Sequence, residues 1–140
     1  MLKKYWFDTC IWRDFYEDRF SKVGNPLGHY ASEAFMNVMK NKDRILFSES
    51  LVRELKKDYD EGDIKDMLNL LFLSEIFVLI QITKEEHFED KSLSEKRDLP
   101  YVDCLNAVQA RNNNAIVVSQ DPHLTKDLID IVKVIKPQDI

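Results

Sequence analysis

Three short runs of apolar, mostly β-favouring residues each break off at a polar or acidic side chain. Lys4-Tyr5-Trp6-Phe7 runs into Asp8-Thr9, Arg44-Ile45-Leu46-Phe47 into Ser48, and Ala115-Ile116-Val117-Val118 into Ser119-Gln120-Asp121. Unbroken apolar runs of this length, without alternation, suit strands covered on both faces, as in a parallel sheet. Helical periodicity fills the spaces between them, so the expectation is an α/β domain with a mainly parallel sheet. Ligands of such sheets bind outside the carboxyl ends of the strands, and Asp8, Ser48 and Asp121 all fall at those ends.

The remaining elements follow from spacing and punctuation. Ile11, Trp12, Phe15, Tyr16 and Phe20 recur at helical intervals over 10–23, with Arg13, Asp14, Glu17 and Asp18 off the apolar stripe. A loop over 24–28 precedes a helix over 30–40. Ser48 offers an N-cap for a helix running to about residue 59, residues 60–63 end it, and another helix follows over 64–73. Residues 76–82 read as a strand. Thr83 and Glu86 form a capping box opening a polar helix that fades by residue 96. Pro100 opens a helix over 101–111, broken at Asn112-Asn113-Asn114. A helix from Pro122 to about residue 129 and a last strand over 131–135 complete the chain.

At 140 residues the chain fits one domain, 1–140, able to bury roughly two-thirds of its extended surface. Its 25 acids against 20 bases, a net charge of -5, exclude the footprint of a strongly basic nucleic-acid binder. A nuclease is not excluded, because metal-binding acids themselves push the balance negative. Cys10 and Cys104 lack any zinc-type spacing and read as reduced, buried thiols in apolar surroundings. His29, His87 and His123 share no metal spacing and read as surface or loop residues, although His123 lies near the strand-end acids. Trp6, Trp12, Phe15 and Tyr16 read as core, and Lys56-Lys57 and Lys96-Arg97 as solvated charges. The first residues lack an apolar signal core, and the longest apolar run, 76–82, is far short of a membrane span. The expectation is a soluble cytoplasmic protein. Phosphate-binding glycine loops and the GxSxG motif are absent.

Each acid carries a plainer reading beside the functional one. Asp8 and Asp121 both suit helix N-caps, the latter with Pro122 at the first helical position. Asp103 sits where negative charge complements a helix dipole, yet Asn106, Ala107 and Ala110 share its face and leave space in front of a carboxylate. Glu49 and Glu54 flank the Leu51-Val52-Leu55 stripe on opposite sides, and helical geometry alone does not choose between them. Carboxylates gathered at one point must take up protons or a cation. Acids without Cys or His ligands suit a hard ion, Mg2+ or Mn2+.

Taken in order, Phe7-Asp8-Thr9, Leu51-Val52-Arg53-Glu54-Leu55, Leu99-Pro100-Tyr101-Val102-Asp103-Cys104-Leu105-Asn106-Ala107 and Ile116-Val117-Val118-Ser119-Gln120-Asp121 resemble the four acidic positions of the PIN domain. This is the nuclease fold of VapBC toxin components and related RNases, and the resemblance spans essentially the whole chain. It implies a three-layer α/β/α fold whose five-stranded parallel sheet has the first strand at its centre. It implies Asp8, Glu54, Asp103 and Asp121 as the catalytic metal ligands, favouring Glu54 over Glu49. Thr9, Ser119 and Asn106 would stand behind them, orienting ligands or water. The activity implied is Mg2+- or Mn2+-dependent cleavage of RNA by a homodimer that a small antitoxin blocks. Other readings are a PIN-type RNase of RNA processing or quality control, and an inactive PIN-like module that binds RNA or protein.

Overall fold

A computed structural model of the chain describes residues 2–72 and 74–140. Its centre is β1 (Lys4–Phe7), where Tyr5, Trp6 and Phe7 are all buried. Strand β2 (Arg44–Phe47) pairs with one edge of β1 and β4 (Ile116–Val118) with the other, both parallel to it. Strand β3 (Phe77–Leu79) adds to β2 and β5 (Val134–Ile135) to β4. Among the described residues this gives a five-stranded, all-parallel sheet of order β3-β2-β1-β4-β5, the expected α/β architecture with the first strand central.

Side chains of successive strand residues point to opposite faces, and the sheet divides two cores accordingly. Tyr5, Phe7, Ile45 and Phe47 pack against α1 (Thr9–Glu17), α2 (Leu27–Lys40), α3 (Glu49–Leu55) and α4 (Glu61–Phe72). Trp6, Leu46 and Val117 pack on the other side against α6 (Tyr101–Asn112) and the segment carrying Leu124, Leu128 and Val132. Helix α5 (Lys84–Arg97) lies against α6, and α7 (Pro122–Thr125) follows β4. The result is the expected three-layer α/β/α arrangement. Among the described residues no helix is long and apolar enough to cross a membrane.

Several boundaries differ from the periodicity. Helix α1 stops at Glu17 rather than 23, because Asp18 takes a left-handed conformation (φ 50°) and its N–H closes on the Asp14 carbonyl. Phe20, assigned to the stripe, is therefore 66% exposed, while Asp14, placed off the stripe, is buried. Helix α2 begins at Leu27, so Gly28 lies inside it and not in a loop. Helix α3 ends at Leu55 and α4 starts at Glu61, within the stretch read as a break. Leu73, the expected last residue of that helix, lies outside the described residues. Strands β3 and β5 and helix α7 are all shorter than expected. Trp6 and Trp12 are core, but Tyr16 is partly exposed and its hydroxyl donates to Asp63 at 2.8 Å.

Two of these features generate tests. A Cβ on Gly28 would stand 2.5 Å from the Asp18 Cα and 2.8 Å from the Asp14 carbonyl oxygen, so α1 and α2 meet only because this side chain is missing. Gly28→Ala should lower stability by about 1–3 kcal/mol in urea unfolding. On α5, Asp90 is fully buried, and burial pushes its carboxyl up to about 7. The raised acid contributes stability that is present below its unfolded pKa and lost as pH rises through about 7. Asp90→Asn should thus raise the melting temperature clearly at pH 8 and progressively less toward pH 4.

Candidate metal centre

Asp8 follows β1 directly and caps α1, its Oδ1 accepting the Thr9 backbone N–H at 2.9 Å. Asn106 Nδ2 donates to the same oxygen at 3.3 Å. On Oδ2, the Ser119 hydroxyl donates at 2.9 Å and the Cys10 thiol at 3.1 Å. A carboxylate offers about four lone-pair sites, so these donors from α1, α6 and the end of β4 leave Asp8 fully engaged. Asn106 is oriented from behind, since Trp6 Nε1 donates to its Oδ1 at 3.1 Å and leaves the amide nitrogen for Asp8. Ser119 in turn accepts the Asp121 backbone N–H at 2.9 Å, so one hydroxyl links two of the acids.

Asp103 and Asp121 meet at a histidine. His123 Nδ1 lies 3.0 Å from Asp103 Oδ2 and 3.4 Å from Asp121 Oδ1. Asp121 caps α7 through the His123 backbone N–H, 2.9 Å from its Oδ1. Ligand atoms of these three residues lie within 4.8 Å of one another. A cleft of about 400 Å³ gathers them with Asp8, Thr9, Glu54, Arg13 and Lys57. Glu54 meets Lys57 Nζ at 2.7 Å, and Arg13 reaches the Glu54 backbone carbonyl at 3.3 Å.

The electrostatics are those of crowded negative charge. Burial, then the charges of Asp8 and Asp121, push the Asp103 carboxyl up to about 7, with His123 pulling the other way. Burial also raises Asp8, opposed by the hydrogen bonds from Cys10 and Ser119. The Cys10 thiol is held well above its usual range by burial and by Asp8, so it keeps its proton and donates. Two carboxylates and an imidazole, open to a cleft and short of positive charge, fit a divalent cation bound through oxygen and nitrogen.

Of the residues singled out in the sequence, Asp8, Glu54, Asp103 and Asp121 all line the cleft, and only Asp103 and Asp121 belong to the close cluster. Glu49 is exposed and pairs with Arg53, outside the cleft lining. Ser48 caps α3 and contributes nothing to the cleft. Ser119 and Asn106 stand behind Asp8 as expected, whereas Thr9 reaches it through its backbone N–H. Cys10 packs against the core as expected but is only partly buried, and its thiol meets Asp8 and Ser119. His123 is not a bystander. Its signal was the Asp121-Pro122-His123 spacing, which puts the ring two residues beyond a cap, facing back over the capping carboxylate.

No family model and no curated protein matches the sequence. Solved structures do match. A toxin–antitoxin complex from Klebsiella pneumoniae contains a chain of TM-score 0.62 and 17% identity, covering 95% of this chain and 97% of that one. VapBC2 from Rickettsia felis, bound to a DNA fragment from its promoter, matches with TM-score 0.65 and 20% identity over 95% of this chain and 98% of that one. PAE2754 from Pyrobaculum aerophilum matches with TM-score 0.56 and 16% identity over 99% and 94%. At these identities what is shared is the fold alone, over nearly the full length of each chain.

Proposed function

We propose that the chain is a PIN-type, metal-dependent endoribonuclease and the toxin of a VapBC-like toxin–antitoxin pair. One observation carries the reading. Asp8, Asp103 and Asp121, which arrive from the end of β1, from α6 and from the β4–α7 junction, converge on one cleft with Glu54 on its wall. The fold shared with chains of toxin–antitoxin complexes supports the same reading.

In this account Asp103 and Asp121 hold a divalent cation, Mg2+ or Mn2+. Asp8, saturated by its own donors, holds Ser119 and thereby Asp121 in place, and joins the ligand set only by releasing one of those donors. The cation, when bound, supplies charge for a phosphate oxygen and acidity for a bound water. Glu54 accepts the proton of the attacking water, with Lys57 steadying its carboxylate. Arg13 and Lys57 meet the RNA phosphates at the cleft wall, where a chain of net charge -5 most needs cations. A small antitoxin and a second copy of the chain are the partners of this reading, and the cytoplasm its setting. The saturated Asp8 is also what a non-cleaving PIN-like binding module would show, and the same assay separates the two.

Asp103→Asn should reduce Mn2+-dependent cleavage of single-stranded RNA by about a hundredfold or more. Its metal-free melting temperature should hold or rise, because a strained charge is gone. Asp8→Asn should lose activity and also about 1–3 kcal/mol of stability, since its amide nitrogen would confront donors. Wild-type protein that cuts no RNA in Mn2+, or an Asp103→Asn variant that cuts at the wild-type rate, would refute the proposal.

A further inference from the structure

The donor His123 changes the character of the cluster. Its Nδ1 faces two carboxylates at once, Asp103 at 3.0 Å and Asp121 at 3.4 Å, so it points at the space where their charge is concentrated. The backbone that carries the ring is fixed by short-range geometry: the His123 N–H is tied to Asp121 Oδ1, and the one residue between them is the rigid Pro122. Asp8, by contrast, has both oxygens occupied. The side chain of His123 is 44% exposed and lines the cleft, so the ring stands where an ion arriving there can replace its carboxylate partner.

We propose that His123 Nδ1 is a direct ligand of the cation alongside Asp103 and Asp121, making a mixed nitrogen–oxygen site that prefers Mn2+ to Mg2+. This rests on the reading of the cleft as a metal centre. Mg2+ demands near-ideal octahedral oxygen geometry and gives up water reluctantly, whereas Mn2+, although the weakest binder of the first-row transition series and also served by oxygen, belongs to the series that nitrogen-bearing sites hold. A neutral imidazole in place of a third carboxylate also lowers the negative charge facing the ion. That costs a hard ion held by charge alone more than it costs one that bonds to nitrogen. The hydrogen bond to Asp103 then marks the metal-free arrangement, in which the ring covers a carboxylate that the cation would otherwise neutralise.

The test uses the purified full chain. Mn2+ titrated into wild type is followed by calorimetry, and the bound ion by pulsed electron paramagnetic resonance, which detects a directly bonded nitrogen through its 14N modulation. The expected result is 14N modulation in wild type that vanishes in His123→Gln. The same substitution should weaken Mn2+ binding by more than about tenfold, a loss seen even for residues that sit behind metal ligands. Mg2+ binding should change less, so the Mn2+ preference falls. Bound Mn2+ with oxygen ligands alone, or an unchanged preference in His123→Gln, overturns the assignment of His123 and leaves the metal centre standing. Failure of wild type to bind Mn2+ at all overturns both.

Discussion

The structure depends on the buried carboxylate of Asp8. A charge taken out of water is costly unless hydrogen bonds replace the solvent, and Asp8 obtains them from three separate parts of the chain. Satisfying it requires β1 beside β4, so that Ser119 arrives, and α6 across the sheet face, so that Asn106 arrives behind Trp6. Strand order, helix placement and the position of the cleft are therefore parts of one requirement. The cap of α1 and the wall of the cleft are the same side chain.

Around this satisfied acid sit others that are not. Asp103, Asp14 and Asp90 are all pushed toward neutrality chiefly by burial, with the charges of Asp8 and Asp121 adding to it at Asp103. Asp103 differs from the other two in facing an open cleft, where an ion or a ligand can relieve the charge. Local discomfort that has an outlet to solvent is a mark of a working site, while discomfort sealed in a helix interface is only a loss of stability.

Much of this was legible beforehand, and the reasons are local. Tyr5-Trp6-Phe7 and Ile116-Val117-Val118 are unbroken apolar runs, so burial on both faces and parallel pairing followed from them. The Thr83–Glu86 capping box marked the start of α5, and Asp8 and Asp121 were both visible as caps at strand ends. Glu54 could be told from Glu49 only by resemblance, because the difference lies in which side of α3 meets α1 and the cleft. What was hidden is tertiary. Phe20 fits the helical stripe of α1, but the chain turns at Asp18 to let α2 pass, which exposes Phe20 and buries Asp14. His123 is not legible from spacing, because it shares no metal spacing with another histidine and its partners are acids supplied by another helix and by its own cap.

The sheet also closes itself at its margins. Its outermost strands, β3 and β5, hold three and two residues, so each rim offers only a scrap of unpaired backbone. A rim that short cannot template another strand over any useful length. Whatever meets this protein must therefore read its side chains and its cleft, and the inner strands β2, β1 and β4, each paired on both edges, stay out of reach of foreign backbones.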